Sequence, residues 1–288
     1  AQQYDVPREN VLSLLDLLVV SIASDLVSVT GENRVLAYYG LKQLNANPRK
    51  GLQSVIKLSG LDKHVITIDE IVFKIGPRIN AAGRMESGRM AVDLLTSRSD
   101  EDARKIGDEI NVHNNERKNI DREITYEAIE IVRNSEDFGK LKSTVVYNPQ
   151  WHKGVVGIVA SRLVEAFFKP TIVLTKSNGF ITGSARSIPG FDLYDAIESC
   201  SDLLENFGGH MYAAGLTMKE ENLEEFSVRF EERVKAMITK EMLVPIVNID
   251  SYLDFKQITP KFFRVLKQFQ PFGPGNQSPV FLSENVYD

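Results

Sequence analysis

One stretch near the middle of the chain, residues 100–134, restricts the folds that this sequence can adopt. Side chains that suit one buried helix face recur there at spacings of three, four or seven residues, and they are Ala103, Ile106, Ile110, His113, Ile120, Ile124, Ala128 and Ile131. The stretch has no proline and one glycine, Gly107. This pattern predicts a single amphipathic helix, about 50 Å long at the usual rise per residue. Because that length exceeds a small domain, we expect the helix to connect two domains; two helices broken near residues 114–115 are the alternative.

The patterns on either side of this helix divide the chain into four segments. Residues 1–97 are mostly helical in pattern, and residues 98–137 hold the connector. Predicted strands and helices alternate through residues 138–243, which indicates an α/β domain around a mixed sheet. Residues 244–288 form an extension with short strand-like stretches and one helix. The predicted fold class is therefore α/β, with a mainly helical domain, a long connector helix and an α/β domain.

The individual elements follow from apolar periodicity, β-branched runs and the positions of proline and glycine. The predicted helices are residues 9–22, 32–44, 51–58, 67–75, 155–168, 192–206, 223–238 and 261–269. The predicted strands are residues 144–147, 171–175, 180–184, 216–218, 244–247 and 251–253. Pro77, Gly83 and Gly88 predict loops around residues 76–88. Asp192 is the predicted N-cap of the helix that follows it.

Composition excludes several classes of protein. The formal net charge is −5, so a nucleic-acid site has to be a local basic groove rather than a global basic field. The single cysteine, Cys200, excludes an intrachain disulfide and fits a reducing, cytoplasmic compartment. The most apolar run, residues 11–22, contains Asp16 and is shorter than the roughly 20 residues of a membrane span. We therefore expect no membrane partner.

One short stretch combines two consecutive glycines with a histidine. Gly208 and Gly209 precede His210, and small residues and Gly215 follow. Glycine permits positive φ and close approach of the backbone to a ligand, so a turn here would direct several N–H groups at one phosphate. The alternative is a glycine that ends a helix before a tight helix–strand corner.

Ser184 and Arg186 lie at the end of a predicted strand. Alternation along the strand puts both side chains on one face, and a hydroxyl beside a guanidinium can clamp a phosphate. Together with the predicted turn at residues 208–210, we expect them to form a pocket for a terminal phosphate. Such a pocket gives specificity for strand ends, because an internal phosphodiester carries less charge and continues on both sides.

A third segment places Arg78, Asn80 and Arg84 on a predicted loop rich in glycine and alanine. The planar guanidinium donates in a fork that matches phosphate oxygens. These residues are therefore candidate phosphate ligands, and we expect them to act with the residues of the terminal-phosphate pocket. The alternative is that each arginine forms a salt bridge with a nearby carboxylate such as Glu86.

Four motifs in register, residues 76–85, 151–163, 183–187 and 207–215, carry a family resemblance that covers nearly the whole chain. Together they resemble the DHH phosphoesterases with their DHH-associated domain, and in particular the RecJ-like single-stranded-DNA exonucleases. The resemblance implies a nuclease of DNA repair and recombination that hydrolyses single-stranded DNA from 5′ to 3′ with two Mn²⁺ or Mg²⁺ ions. It also implies that the extension after residue 243 leads into an OB-like domain.

The resemblance assigns roles to several residues. It implies that an arginine of the third segment meets the DNA end, with Arg84 preferred over Arg78. It places His152 beside the active cleft, which makes His152 the predicted catalytic residue. Trp151, the only tryptophan, is a candidate for stacking on a base, with a core position as the alternative.

Asp25, at the end of the first long predicted helix, resembles the last metal-ligand aspartate of the DHH phosphoesterases. A helix cap, or a pair with Arg34, is the alternative. The sequence contains no Asp-His-His triplet, and no predicted strand ends in Asp-x-Asp. Both termini look cut rather than natural, so we expect the C-terminal part of a longer enzyme. Two-metal hydrolysis needs both ions, so we expect this part alone to be inactive.

Two other functions stay open at this point. One is an oligonucleotide or cyclic-dinucleotide phosphodiesterase of the same superfamily, against which the long connector and the extension argue. The other is a non-catalytic nucleic-acid-binding module, against which Asp25 and residues 76–84 argue. The expected partner is single-stranded DNA, with single-strand-binding protein and a helicase as further candidates for the full protein. We expect a monomer.

Overall fold

The computed structural model describes residues 6–136 and 139–286. The chain divides into two compact units. The first comprises Ala1–Asn115 and Val247–Asp288, and the second comprises Glu116–Ile246. The extension therefore groups with the first unit, and one boundary falls inside the predicted connector. Within the described ranges, no helix combines the length and the apolar character needed to cross a membrane.

The first unit is mainly helical, as predicted. Its helices are α1 (Arg8–Leu12), α2 (Leu15–Ser24), α3 (Gly31–Ala46), α4 (Lys50–Leu58), α5 (Ile68–Glu70), α6 (Gly76–Met85), α7 (Gly88–Thr96) and the first part of α8 (Asp100–Arg133). A π-helical segment, Ile71–Ile75, joins α5 to α6. Aliphatic side chains from most of these helices form one core, in which Val19, Leu52 and Leu94 are fully buried.

The predicted helix over residues 9–22 is interrupted between α1 and α2. The Ser13 carbonyl accepts a hydrogen bond from the Arg49 side chain at 2.9 Å, and the Leu17 amide donates to the Asp16 carboxylate at 2.8 Å. Asp16 is 1% exposed and pairs with Arg49 at 2.7 Å. A buried carboxylate needs such compensation. The chain therefore forms this ion pair at the expense of a continuous helix over residues 9–22.

Residues 76–85 form helix α6 rather than a loop, which corrects the prediction made from their glycine and proline content. The π-helical segment runs directly into α6. Pro77 stands in the first turn of α6, where proline has no intrahelical N–H bond to lose. A Cβ at Gly76 would lie 2.8 Å from the Ser24 Oγ, so this glycine allows α6 to begin against α2.

The predicted connector is one helix, α8, of 34 residues. The alternative with a break near residues 114–115 is therefore wrong. In the first unit, a Cβ at Gly107 would lie 2.3 Å from the Ser54 Oγ. The one glycine of α8 thus sits where the helix approaches α4 most closely.

The second unit is built on a mixed five-stranded sheet. Its elements are the second part of α8, β1 (Thr144–Tyr147), α9 (Val156–Phe167), β2 (Thr171–Ser177), β3 (Phe180–Arg186), α10 (Leu193–Glu198), β4 (Leu204–His210), β5 (Ala213–Met218) and α11 (Leu223–Met237). The strand order is β1-β2-β3-β5-β4. The β1–β2 pair is parallel and the other pairs are antiparallel. The predicted α/β fold class with a mixed sheet is confirmed.

An ion pair with a buried carboxylate links α9 to α8 in this unit. Asp121 of α8 is 1% exposed, and its carboxylate lies 3.0 Å from the Arg162 guanidinium of α9. Burial raises the pKa of Asp121, and the guanidinium groups of Arg162 and Arg117 oppose that effect. The position of α9 over the sheet therefore depends on a charge pair as well as on apolar packing.

The two faces of the sheet are covered to different extents. One face packs Ile172, Leu216 and Phe226 into a continuous core. On the other face, Val173 and Val159 belong to a second core formed with α8 and α9. Helix α9 packs on β2 and β3, and the residues of β4 and β5 on that same face are exposed or half-buried. This side of the sheet thus keeps an accessible half.

Helix α10 is shorter than predicted. Asp192 is its N-cap, as predicted, and accepts a hydrogen bond from the Asp195 N–H at 3.1 Å. The helix ends at Glu198, and residues 204–210 form strand β4 instead. The glycines and Asn206 of this segment are poor helix formers, so pairing with β5 outweighs a longer helix.

The extension contains β6 (Ser251–Tyr252), α12 (Pro260–Leu266) and β7 (Phe281–Leu282). Strands β6 and β7 pair in parallel, whereas residues 244–247 do not form the predicted strand. The loop before β7 packs on the segment after α2. The Val29 N–H donates to the Pro274 carbonyl at 2.6 Å, and a Cβ at Gly273 would lie 2.5 Å from the Val29 Cγ2.

We expect Gly51→Ala to destabilise the first unit. The added methyl group would lie 2.0 Å from the Leu94 carbonyl oxygen, so α4 and α7 would have to separate. The expected loss is about 3 kcal/mol in the free energy of unfolding. Gly88→Ala is the matched control, because a Cβ there meets no atom within 4 Å. Urea unfolding followed by circular dichroism measures both variants, and equal midpoints would contradict the predicted contact.

Candidate nucleic-acid interface

The accessible half of the sheet carries three rows of residues across β3, β5 and β4. Directly paired residues share a face of a sheet, so the registers give the rows Thr182–Thr217–Asn206, Ser184–Gly215–Gly208 and Arg186–Ala213–His210. We refer to these nine residues as the polar face. The middle strand contributes two small residues, Ala213 and Gly215, which leave an open surface between Arg186 and His210.

Arg186 and Ser184 share this face, as strand alternation predicted. The Arg186 Nη1 donates to the Ser184 Oγ and to the Ala185 carbonyl, both at 2.8 Å. Helix α9 begins beside them, because a Cβ at Gly157 would lie 3.0 Å from the Arg186 Nη2 and 3.1 Å from the Ser184 Oγ. The first N–H groups of a helix have no intrahelical partners and favour anions. A guanidinium, a hydroxyl and a helix N-terminus therefore meet at one point, which suits a phosphate.

His210 lies in the same row as Arg186, about 10 Å away at the usual strand spacing. Its side chain is exposed, and its Nδ1 accepts a hydrogen bond from the Tyr212 N–H at 3.3 Å. A neutral imidazole that accepts at Nδ1 carries its proton on Nε2. The polar face thus offers a second N–H donor across the open surface from Arg186.

Gly208 and Gly209 do not form the predicted turn. They lie within β4, the edge strand of the sheet, and residues 211 and 212 make the turn to β5. A Cβ at Gly209 would lie 2.2 Å from the Ala213 carbonyl oxygen, whereas Gly208 faces open space. Gly209 therefore permits close strand pairing, and Gly208 leaves bare backbone on the polar face. The outer side of an edge strand presents main-chain N–H and C=O groups to a ligand.

Trp151 is a core residue, which corrects its predicted role in base stacking. Its side chain is 4% exposed and packs between α8, α9 and the sheet. The Nε1–H donates to the Glu127 carboxylate of α8 at 2.8 Å, and the Trp151 carbonyl accepts from the Thr175 Oγ1 at 2.6 Å. A buried ring has no face to offer a base, so the core interpretation holds.

His152 lies in the turn immediately before α9 and is half-buried. Its Nδ1 accepts a hydrogen bond from the Gly154 N–H at 3.1 Å, which leaves the proton of a neutral ring on Nε2. His152 is therefore presented as an N–H donor next to the helix N-terminus that also adjoins Arg186. Its catalytic role stays a prediction.

Arg78 is held by contacts within the protein, and its predicted role as a phosphate ligand stays a prediction. Its guanidinium donates to the carbonyl oxygens of Lys74 and Leu58 at 2.7 and 3.1 Å. It also donates to the Asn111 side chain of α8 at 3.4 Å. Burial lowers the pKa of Arg78. Arg78 thus ties α6 to α4 and α8.

Asn80 and Arg84 are exposed on α6. Residues four apart lie on one face of a helix, so the structure brings these two predicted ligands together and separates them from Arg78. Glu86, the alternative partner for the arginines, contacts the His113 Nε2 at 3.1 Å. Binding of phosphate by Asn80 and Arg84 stays a prediction.

Asp25 is the C-cap of α2 and is exposed. The helix end is closed by the backbone, because the Val27 N–H donates to the Ile22 carbonyl at 3.0 Å. The carboxylate therefore lies at the negative end of a helix dipole, where a cation is stabilising. Arg34, its alternative partner, donates to the Phe269 carbonyl at 2.8 Å.

The fit of a metal to these residues is only partial. Asp25 supplies an oxygen ligand of the kind that Mn²⁺ and Mg²⁺ prefer. Within residues 6–136 and 139–286, no group of three or more His, Cys, Asp or Glu side chains is placed to hold a metal ion. The described residues alone therefore do not complete a two-metal site around Asp25.

One Asp-x-Asp sequence does occur, at Asp100 and Asp102, and its role is structural. Both residues lie in the first turn of α8, where negative charge stabilises a helix. The Ser99 Oγ donates to the Asp102 carboxylate at 2.7 Å, and Lys50 pairs with Asp100 at 2.9 Å. This pair of aspartates caps a helix and is not the strand-end motif of the phosphoesterases.

Sequence reasoning missed several members of the site. Thr182 and Thr217 adjoin Ser184 on the polar face, with their Oγ1 atoms 3.4 Å apart, and Asn206 completes their row. Gly157 was part of a motif but had no assigned role. The missing signal is strand pairing, which brings together residues that are distant in sequence.

The second unit defines the class of domain. A family model described as the DHHA1 domain matches residues 140–236, and a model described as the RecJ OB domain matches residues 249–287. The chain therefore carries a DHHA1 domain, with the polar face built on its sheet, followed by a RecJ OB segment.

Curated relatives extend the similarity to nearly the whole chain. The single-stranded-DNA-specific exonuclease RecJ of Bacillus subtilis (strain 168) is 38% identical over 276 residues, which are 95% of this chain and 35% of the relative. The protein of the same name from Salmonella typhimurium is 34% identical over 288 residues, covering 96% of this chain and 49% of the relative. The chain is therefore RecJ-like over nearly its whole length, and it spans about a third to a half of the length of these relatives.

Solved structures agree with this assignment. RecJ from Thermus thermophilus in complex with Mg²⁺ matches with a TM-score of 0.87 at 29% identity, over 97% of this chain and 43% of that chain. The Mn²⁺ complex of RecJ from the same organism gives a TM-score of 0.86 at 29% identity, over 98% and 41% of the two chains. The resemblance seen in the four sequence motifs is thereby confirmed.

We expect Trp151→Phe to destabilise the second unit without weakening any binding of single-stranded DNA. The change removes the N–H donor to Glu127, with an expected loss of about 2 kcal/mol in the free energy of unfolding. Because the ring is buried, the Kd for a single-stranded oligonucleotide should change by less than about twofold. Chemical unfolding and fluorescence anisotropy measure the two quantities. A large loss of affinity in a folded variant would restore the stacking role.

Proposed function

We propose that this chain is the substrate-binding part of a metal-dependent 5′→3′ exonuclease for single-stranded DNA, which acts in DNA repair and recombination. The relatives described above carry the name single-stranded-DNA-specific exonuclease, and this chain spans part of their length. The observation that carries the proposal is the meeting of Arg186, Ser184 and the N-terminus of α9 on the polar face. That arrangement suits the terminal phosphate of a strand.

The chemistry of the polar face favours a strand end over an internal position. A terminal phosphomonoester has more charge and more free oxygens than a phosphodiester, so it gains more from a guanidinium, a hydroxyl and helix N–H groups. Ala213 and Gly215 leave room for the ligand between Arg186 and His210. A strand whose end is fixed here has one scissile bond at a set distance from that end.

The other predicted ligands each have a position that fits the proposal in its own way. His152 is presented as an N–H donor beside the same helix N-terminus, and we assign it a role next to the reacting phosphate. Asn80 and Arg84 share an exposed helix face, which suits contacts to the strand. Asp25 would hold one Mn²⁺ or Mg²⁺ ion; such an ion, when bound, polarises the phosphoryl oxygen and activates water.

Two observations favour the exonuclease over the other phosphodiesterases of the superfamily. The RecJ OB model matches residues 249–287, and the similarity to relatives named RecJ covers about 95% of the chain. An oligonucleotide or cyclic-dinucleotide phosphodiesterase has no need of the OB segment. A non-catalytic nucleic-acid-binding module would not need the first unit with Asp25.

Further parts of the proposal concern the cellular setting. A cytoplasmic protein fits the single cysteine, Cys200, and a DNA substrate. The full protein would act as a monomer on single-stranded DNA, alongside single-strand-binding protein and a helicase. These partners follow from the proposed substrate, because single strands in the cell are produced by helicases and coated by binding proteins.

We expect Arg186→Ala to weaken binding of 5′-phosphorylated single strands much more than binding of 5′-hydroxyl strands. Loss of a charge-assisted bond to the terminal phosphate should raise the Kd of the phosphorylated strand about 10- to 100-fold. The Kd of the hydroxyl strand should rise by less than about threefold. Fluorescence anisotropy with a 3′-labelled oligonucleotide measures both values.

Arg229→Ala is the matched control for this experiment. Arg229 lies on α11, away from the polar face, and pairs with Asp202 at 2.7 Å, so its removal should leave both Kd values unchanged. Equal losses of affinity for the two strands in Arg186→Ala would reject the terminal-phosphate pocket. If Arg186→Ala weakened the binding of duplex DNA alone, the proposed specificity for single strands would be rejected.

We also expect the 288-residue chain to bind single-stranded DNA without hydrolysing it in the presence of Mn²⁺. The reason is that two-metal hydrolysis needs several oxygen ligands around two ions, and Asp25 is one such ligand. Release of nucleotides from a labelled strand is the measurement. Mn²⁺-dependent release by the purified chain, abolished by Asp25→Asn, would show that the chain forms a working metal site.

A further inference from the structure

We propose that a groove in the first unit is a second binding site for single-stranded DNA, an inference that rests on the proposed function. The groove is lined by α3, by residues 65–69 and by residues 267–272, and its volume is about 1210 Å³. We refer to it as the tyrosine groove. Sites for small molecules occupy roughly 300–1,000 Å³, so this groove has room for an extended ligand. Its lining belongs entirely to the first unit.

Two adjacent tyrosines of α3 line this groove, although other residues pack the helix into the core. Ala37 is buried, and a Cβ at Gly40 would lie 2.5 Å from the Leu15 carbonyl oxygen. Tyr38 and Tyr39 are 45% and 54% exposed. Their ring centroids are 5.3 Å apart and their planes meet at 85°, so the pair presents aromatic surface in two directions. Bases of a single strand stack on such rings whatever their sequence.

Cationic side chains surround the two rings. The Lys42 Nζ lies 4.5 Å from the centre of the Tyr38 ring and 5.8 Å from that of Tyr39. Arg34 and Lys267 also line the groove, and Asp69 is the one acidic residue among the described residues that line it. Three cations against one carboxylate leave an excess of two positive charges in the groove, although the whole chain has a net charge of −5. The local charge therefore complements a phosphate backbone.

The groove also has apolar walls, which raise the question of a protein ligand. Val35 and Val65, both in the lining, are 55% and 79% exposed. An apolar protein segment would use these valines and would not need the cations. The excess of positive charge beside exposed aromatic rings favours a single strand, whose bases stack while its phosphates meet Lys42 and Arg34. If the groove bound a protein instead, substitution of Tyr38 and Tyr39 would leave the affinity for DNA unchanged.

Photo-crosslinking of the native chain tests the contact directly. A 5′-phosphorylated single strand of about 20 nucleotides, long enough for more than one site, carries 5-iodouracil at successive positions. After irradiation, the crosslinked peptides are identified by mass spectrometry. We expect crosslinks to Tyr38 or Tyr39 from nucleotides away from the 5′ end. Crosslinks confined to residues outside the tyrosine groove would overturn the inference.

The double variant Tyr38→Ala/Tyr39→Ala tests the contribution of the rings to affinity. For the strand of about 20 nucleotides, we expect the Kd to rise about 10- to 100-fold. For a 5′-phosphorylated strand of about four nucleotides, we expect a change of less than about twofold. Tyr38→Phe/Tyr39→Phe keeps both rings and should keep the affinity. Tyr126→Ala is the matched control, because Tyr126 is 70% exposed on α8 and outside the groove lining.

The outcomes separate this inference from the proposed function. If the native chain and the alanine variant bind long strands equally, while Arg186→Ala still weakens binding of 5′-phosphorylated strands selectively, the groove does not bind DNA and the proposed function stands. If the native chain binds no single-stranded DNA, both fail. Circular dichroism checks folding of the alanine variant. If that variant is unfolded, Lys42→Met replaces it, because the Lys42 side chain is exposed. We expect this variant to bind the long strand about fivefold more weakly, and an unchanged Kd would contradict the inference.

Discussion

The close approach of α9 to β3 is the contact on which the proposed phosphate site of the second unit depends. Gly157 has no side chain, so the first turn of α9 rests directly against Ser184 and the Arg186 guanidinium. The ion pair between the buried Asp121 and the half-buried Arg162 holds the same helix against α8. A larger residue at position 157 would push the helix N-terminus away from the guanidinium. The site would then lose the combination of a charge, a hydroxyl and helix N–H groups.

How much of this arrangement the sequence predicts depends on the range of the interactions involved. Alternation within one strand places Ser184 and Arg186 on one face, and helical periodicity predicts α8 as a single helix. The row from Arg186 to His210 combines the β4–β5 hairpin with the non-local pairing of β3 with β5, and one sequence does not specify the non-local pairing. The turn predicted at Gly208 and Gly209 is wrong because glycine suits both a turn and a crowded edge strand. The sequence alone does not distinguish the two.

Two expectations for the first unit meet competing interactions within the protein. Arg78 has the donors that a phosphate ligand needs, and the carbonyl oxygens of Lys74 and Leu58 use part of them. The first predicted helix has apolar periodicity throughout, but the buried Asp16 and Arg49 interrupt it. In each case a local pattern indicates the chemistry of the residues, and neighbours in the fold, main-chain carbonyls for Arg78 and the Arg49 side chain for Asp16, use that chemistry.

The two proposed binding surfaces differ in the force that each contributes. The polar face binds through a guanidinium and helix N–H groups, so its contribution falls as salt screens and replaces the ion contacts. The tyrosine groove combines stacking on Tyr38 and Tyr39 with three cationic side chains, Arg34, Lys42 and Lys267. Salt screens the ion contacts of both surfaces, but only the tyrosine groove has stacking in addition. We therefore expect high salt to remove most of the contribution of the polar face, while the tyrosine groove keeps the contribution of its rings. On these two proposals, salt separates recognition of a strand end from retention of a strand.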